Sequence, residues 1–230
     1  RGEVFLYTTN PPYLGVIGGL ISIVRRHPYV VLLHDSYPQL MVVIGRLRKG
    51  GIIERIWHAL NHFMYKRADQ TIVLCNKAND LVCREYDVEP ERVHTIHNWA
   101  KSDELTVKPK AESAFAAEHG LVDHFTAMYS GNLGLYYDFE TILGAADRLR
   151  DERFRLVFVG GGGKRNWLEK TIKDRKLDNT LLLPYQPFEN LHDSLAAAVA
   201  SFVTIAHGIE GISYPSKLYS SLAMGRPILA

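Results

Sequence analysis

The chain has 230 residues, 47% of them hydrophobic and 23% charged, and its 27 basic and 25 acidic side chains leave a formal net charge of +2. That is enough apolar chain for one large or two small α/β domains, and it lacks the basic excess of a general nucleic-acid binder, so no nucleic-acid partner is expected. Cys75 and Cys83 have no cysteine framework around them and read as free thiols of a reducing cytosol; no apolar run reaches the ~18 residues of a membrane span.

The first apolar run, Val4–Tyr7, reads as a buried strand. The chain opens on it without Met and closes on Arg226-Pro227-Ile228-Leu229-Ala230, which reads as the start of another strand. Unpaired core strands rarely end a domain, so a piece of a longer protein is expected. Tyr13–Val24 is the longest apolar stretch and ends in Arg25 and Arg26; no secretory signal is visible. Further strand-like runs follow at Tyr29–Leu33, Thr71–Leu74, Val93–Ile96, Thr126–Tyr129, Leu156–Val159, Leu181–Leu183 and Phe202–Ile205. Most are apolar on both faces, as in parallel strands covered on each side. Helical patterns lie between them. Asp138 is suited to cap the helix carrying Phe139, Ile142, Leu143, Ala146 and Leu149, and Asn166 the helix carrying Trp167, Leu168 and Ile172. Strand–helix alternation twice over predicts an α/β protein of two Rossmann-like, doubly wound parallel-sheet domains. The polar, aperiodic stretch Lys101–Ser113 reads as their linker. It divides the chain into an N-terminal domain, 1–105, and a C-terminal domain, 106–230, both incomplete.

Between Arg46 and Arg67, six basic residues (Arg46, Arg48, Lys49, Arg55, Lys66, Arg67) stand against Glu54 alone, interleaved with apolar residues. This stretch is either a face for anionic lipid headgroups or a core helix with a solvated basic edge.

Four strand ends carry residues suited to chemistry. Gly160-Gly161-Gly162-Gly163 directly follows Leu156–Val159, where glycine lets backbone N–H groups approach a phosphate, and Lys164 and Arg165 come next. A flexible strand–helix loop is the alternative. Glu210-Gly211-Ile212-Ser213 precedes the helical stretch Leu218–Met224; its glutamate can accept from sugar hydroxyls, its amides can meet a pyrophosphate, and Lys217 can add charge. Gly131-Asn132-Leu133-Gly134 allows close backbone approach to a ligand, or is an ordinary turn. His34-Asp35-Ser36-Tyr37-Pro38 puts a histidine at a strand's C-terminal edge. His58 and His62 lack the HExxH glutamate, and there is no D-x-D triplet, so no metal site is expected. The absent G-x-S-x-G weighs against an α/β-hydrolase.

These residues resemble a family. Tyr129–Gly134, Leu156–Gly160, Leu183–Pro187, Glu210-Gly211 with Pro215-Ser216-Lys217-Leu218-Tyr219, and Ala223-Met224-Gly225-Arg226-Pro227 are similar, in order, to the donor domain of glycosyltransferase family 4, of GT-B fold. Asn10-Pro11-Pro12, His34–Pro38, Ala68-Asp69-Gln70 and Ile96–Trp99 are similar to its acceptor domain, and the branch most resembled includes colanic-acid and O-antigen-type transferases. The resemblance implies retaining transfer from a nucleotide-sugar in a cleft between two domains, to a saccharide or lipid-linked acceptor, with no cofactor and no metal. It implies that Glu210 contacts the donor sugar and that Gly211, Ile212 and Ser213 contact the pyrophosphate. His34 then lies near the transferred sugar, and Tyr185 and Gln186 beside the nucleobase. Gly131, Asn132, Gly160, Gly161, Arg165 and Lys217 complete the expected donor site. Two positions depart from the family pattern. Ser220 stands where a second glutamate usually holds the ribose, and Asn132, Tyr136 and Tyr137 stand where a basic pair is usual. Phosphate charge then falls to Lys217, to Arg165 or to residues outside this sequence. A cytoplasmic enzyme, peripheral on the inner face of the membrane, is the expected setting. A non-catalytic sugar-nucleotide-binding subunit and an epimerase or phosphorylase-like enzyme of similar fold are the alternatives.

Overall fold

The computed structural model describes residues 3–100, 105–150 and 153–230; residues 101–104, the opening of the expected linker, lie outside the described residues. Backbone contacts divide the chain into two compact units. The first runs up to Asn98 and includes His207–Tyr214; the second comprises Trp99–Ala206 and Pro215–Ala230.

In the first unit, β1 (Phe5–Thr8), α1 (Leu14–Arg25), β2 (Tyr29–Leu32), α2 (Gln39–Val43), α3 (Ile52–Arg67), β3 (Gln70–Val73), α4 (Asn76–Tyr86) and β4 (Val93–Thr95) follow one another. The four strands form one all-parallel sheet in the order β1-β2-β3-β4, with Phe5 opposite Tyr29, Val31 opposite Thr71, and Thr71 opposite Val93. Tyr29, Val31, Leu33 and Val73 are completely buried, as parallel strands covered on both faces should be. Helix α1 lies close to α3 because it presents glycine there: a Cβ on Gly19 would stand 3.0 Å from the Phe63 ring and 3.1 Å from the Tyr29 hydroxyl. That hydroxyl donates to the Met64 carbonyl at 2.7 Å, and burial pushes its pKa up to about 12.

In the second unit, α5 (Ala114–Glu118), β5 (Phe125–Ser130), α6 (Glu140–Arg148), β6 (Phe154–Val159), α7 (Arg165–Asp174), β7 (Thr180–Leu183), α8 (Leu191–Ala196), β8 (Ala200–Phe202), α9 (Lys217–Ala223) and β9 (Ile228–Leu229) build a second all-parallel sheet, ordered β7-β6-β5-β8-β9. Successive side chains of a strand point to opposite faces. Ala127 and Tyr129 therefore join one core layer with Phe139, Leu143 and Phe158, while Met128 joins another with Val157, Leu195 and Met224. Ser130 pairs with Val159 and Val159 with Leu183, so β5, β6 and β7 end level and release their loops along one edge.

Two local expectations are corrected. The strand expected at Phe202–Ile205 is Ala200–Phe202, because beyond it Ala206 N–H donates to the Tyr136 carbonyl and the chain leaves the sheet. Asn166 does not cap α7: Lys164 occupies that position, with its N–H on the Leu133 carbonyl. Asp138 does bind the first turn of α6, accepting from the Thr141 amide at 3.2 Å and its hydroxyl at 2.6 Å, although Phe139 occupies the cap position. The hydroxyl bond, foremost, holds the Asp138 carboxyl below the ordinary range.

Candidate functional site

The level strand ends of the second unit enclose a cavity of about 600 Å³, within the usual size range of ligand sites. Trp99, Leu105, Phe188 and Leu191 give it an apolar wall; Ser130, Asn132, Gln186, Ser216 and Ser220 supply neutral polar groups. Among the described residues, Lys217 is the single charged side chain lining it.

Lys217 opens α9, and its ammonium lies 4.0 Å from the centre of the Tyr137 ring and 4.5 Å from that of Tyr129. Aromatic faces attract a cation but do not neutralise it. No acid or hydrogen-bond acceptor among the described residues meets this ammonium, and burial alone brings its pKa down to about 7. Gly131 (φ +134) lies directly beside it: a Cβ there would stand 3.2 Å from Lys217 Cε. The Tyr129 hydroxyl donates to the Asn132 carbonyl at 2.8 Å and so ties the loop to the strand; burial holds that phenol well above its usual range.

The glycine tract is required by the neighbouring backbone. A Cβ on Gly160 would overlap the Gly131 carbonyl, and one on Gly162 would come within 2.6 Å of the Leu133 carbonyl. Leu133 N–H donates to the Gly161 carbonyl and Lys164 N–H to the Leu133 carbonyl, both at 2.8 Å. The loops after β5 and β6 are thus nested into each other, and Gly160 and Gly161 form the support of the cavity rather than its lining. Arg165 is likewise engaged: one guanidinium nitrogen donates to the Gly160 carbonyl at 2.6 Å and the Leu183 carbonyl at 3.1 Å. Tyr185 lines the cavity, its ring against Gly160 and Gly161 and its hydroxyl on the Gly161 carbonyl at 3.2 Å. Ser220 donates to the Lys217 carbonyl at 3.1 Å.

The other candidates come together in the first unit. His34 follows β2, and its N–H donates to Thr9 Oγ1 at 3.0 Å. The two residues after it hold the Glu210 segment: Ser36 N–H donates to the Ile212 carbonyl at 2.7 Å, and Ser213 Oγ donates to Asp35 Oδ1 at 2.5 Å. Gly211 (φ +80) passes Lys77 where a Cβ would meet the lysine's own Cβ at 2.8 Å. The amides of Ile212 and Ser213, expected to face a pyrophosphate, both donate to the Ile209 carbonyl. Glu210 is exposed and accepts from Gly208 N–H at 3.0 Å. Its own backbone amide, then Gly208, His207 and Lys77, holds its carboxyl below the ordinary range. Among the described residues no group of three His, Cys, Asp or Glu side chains is placed to hold a metal ion, and both cysteines are free.

Sequence reasoning chose Lys217 but passed over the pair of rings that defines its surroundings. Tyr129 read as a core strand residue and Tyr137 as the loss of a basic residue. The available signal was an aromatic residue closing a strand whose loop carries a second one.

Comparison with known proteins agrees with this architecture. Residues 5–99 match the glycosyl transferase 4-like domain, and residues 112–230 match glycosyl transferases group 1. A Pseudomonas aeruginosa protein named "Probable glycosyltransferase WbjE" is 28% identical over the whole chain, which covers 57% of that protein. WcaI of Escherichia coli (strain K12), named for colanic acid biosynthesis, is 38% identical over 98 residues, 43% of this chain and 24% of its own length. Anabaena Alr3699/HepE, solved with UDP and separately with UDP-glucose, superposes with a TM-score of 0.77 at 15% identity for the UDP complex, over 98% of this chain and 59% of that one. The chain thus spans little more than half the length of the Pseudomonas relative and of this neighbour, and the shared fold is that of GT-B glycosyltransferases. Two parallel-sheet α/β units and a group 1 match across residues 112–230, over half of the chain, establish that it belongs to the glycosyl transferases group 1 family, preceded by a glycosyl transferase 4-like domain.

Proposed function

We propose that the protein is a retaining hexosyltransferase that moves a sugar from a nucleoside-diphosphate sugar to a saccharide or lipid-linked acceptor in polysaccharide or glycoconjugate synthesis. The observation that carries this reading is Lys217: a desolvated cation in a ligand-sized cavity, facing no carboxylate among the described residues. Such a group is stabilised by an arriving anion. The cavity's aromatic wall suits the flat face of a nucleobase, and the Anabaena neighbour's complexes with UDP and UDP-glucose support a diphosphate as that anion.

In the proposed reaction the acceptor hydroxyl approaches the anomeric carbon on the face from which the diphosphate departs. The carbon–phosphate oxygen bond breaks, the new glycosidic bond forms, and the hydroxyl proton passes to the departing diphosphate. Lys217 stabilises the charge that develops there, so a metal ion has no part in the proposal. Glu210 orients the sugar and His34 bonds it or relays the proton. Residues 106–230 act as the donor side and 1–105 as the acceptor side, although His207–Tyr214 packs with the first unit. A cytoplasmic setting on the inner membrane face, reached through Arg46–Arg67, belongs to the same reading.

Thermal shift of the chain against UDP, GDP, ADP and dTDP, with the matching nucleosides as controls, tests the site. One diphosphate should raise the melting temperature while its nucleoside does little. Equal effects of the two would refute an anion site at Lys217.

A further inference from the structure

We infer that Tyr13, Trp57 and Tyr37 form a stacking platform for one pyranose ring of a saccharide acceptor. The inference rests on the transferase reading above, which gives the acceptor side to residues 1–105 without naming a surface that holds the sugar.

Tyr13 lies in the loop between β1 and α1, Tyr37 in the loop after β2, and Trp57 on α3. The Tyr37 and Trp57 rings stack with centres 5.6 Å apart and planes 7° from parallel. The Tyr13 ring leans on Trp57 at 4.9 Å and 34°. Trp57 and Tyr37 are half-buried, and Tyr13 is 45% exposed. Each ring thus braces the next while Tyr13 stays open to solvent. Tyrosine and tryptophan offer large, stiff contact area at low entropic cost. The backbone beneath is fixed as well, since the buried Asn61 side chain donates to the Tyr37 carbonyl. Trp57 Nε1 has no hydrogen-bond partner among the described residues, so ring contacts set the orientation of the indole.

The place of the stack points to its ligand. Its two tyrosine loops leave the C-terminal ends of β1 and β2, the edge that also carries His34, and Tyr37 is three residues beyond that histidine. Thr9 ties the loops together: its Oγ1 donates to the Asp35 carbonyl at 3.2 Å and accepts from the His34 amide at 3.0 Å. Platform and proposed proton relay are therefore held to one frame. The face of an aromatic ring is the negative part of its quadrupole. It attracts the weakly positive C–H face of a pyranose, whose hydroxyls project from the rim toward other partners. A cation would need a counter-charge beside the rings. The acids nearest to them in sequence, Asp35 and Glu54, are engaged by the Ser213 hydroxyl and the Gly50 amide. A neutral sugar fits this surface better than an ion.

The chain has three tryptophans, so its 15N spectrum carries three indole N–H signals. Trp57 reports on the platform, Trp99 on the cavity it lines in the second unit, and Trp167, on α7, serves as control. Replacing each by Phe assigns them. The probes are the methyl glycosides of glucose, galactose, mannose, N-acetylglucosamine and rhamnose. At least one should move the Trp57 signal with a dissociation constant on the order of 10 mM, leaving Trp167 in place. Tyr13→Leu keeps apolar bulk but removes the ring, and should weaken that binding about threefold to tenfold. Tyr13→Phe keeps the ring and should restore it. An unchanged Trp167 signal in both variants shows that they fold. Nucleoside diphosphates should move Trp99 instead, and loss of that response alone would fail the donor reading while leaving the platform standing. The inference is overturned if no glycoside moves Trp57, or if Tyr13→Leu binds as well as the unaltered chain. It is equally overturned if phosphatidylglycerol vesicles perturb Trp57 where glycosides do not, since the rings would then serve a membrane surface.

Discussion

Two lysines of this chain experience opposite environments. Lys66, near the end of α3, lies 2.9 Å from Asp87 and 3.7 Å from Glu89, and the bond to Asp87, foremost, raises its pKa. Lys217, at the start of α9, lies among aromatic rings, and burial lowers its pKa to about 7. The first cation is satisfied inside its own unit and ties α3 to the turn after α4. The second is left incomplete by the fold. An unpaired, desolvated cation is costly unless a ligand supplies the missing charge, which is why strong shifts of this kind mark candidate sites.

The widest separation between the two should come from ligand affinity. Replacing Lys217 by Ala should cost the diphosphate about 1.5–3 kcal/mol, a tenfold to hundredfold loss of affinity by calorimetry. Lys66→Ala should leave it unchanged. Equal losses would remove the distinction.

The next effect is in pH. Unoccupied Lys217 loses its proton near pH 7, and a bound diphosphate restores it, so binding above that pH takes up a proton. Affinity should fall by about tenfold per pH unit above 7, and the slope should vanish in Lys217→Met. For the ligand-free protein the sign follows from the lowered folded-state pKa. Below pH 7 the lysine is charged in both states and the full burial penalty applies. Between about 7 and its ordinary 10.5 the unfolded chain binds more protons, so this group's contribution makes stability rise with pH.

The smallest effect sharpens the contrast in stability. Lys217→Met removes a charge from an apolar site and should raise the ligand-free melting temperature at pH 6, by roughly 1 kcal/mol in stability. Lys66→Met breaks a surface ion cluster and should move the melting temperature little, in the downward direction. A drop for Lys217→Met would show that the ammonium has a partner in solution.

Much of the fold was legible in the sequence because parallel strands are apolar on both faces. Tyr29–Leu33 and Leu156–Val159 needed no tertiary information. Phe202–Ile205 misled because apolar character continues past β8, although Thr204 and Ala206 already bond to the Asp138 and Tyr136 carbonyls. Asn166 failed as a cap for a similar reason: the nested glycine loop had already placed Lys164 there. In the site, the choice of Lys217 needed only its place before a helix. Its lowered pKa comes from burial, beside the Tyr129 and Tyr137 rings that the fold brings to it from earlier in the chain. The glycine tract reads in sequence as a ligand contact; the further demand that Gly160 and Gly162 fit the backbone of the preceding loop is visible only in the fold. Whether a glycine faces a ligand or another carbonyl is decided by packing, which spacing does not encode.

The nesting of Gly160 and Gly162 against Gly131 and Leu133 also bears on how the second unit can vary. Two connections that are separate in sequence behave as one rigid part, because neither can accept a side chain or an extra residue at the point of contact without displacing the other. Diversification of ligand preference would therefore concentrate on segments outside this lock, such as Tyr185–Phe188 and the start of α9, whose neighbours have room to adjust.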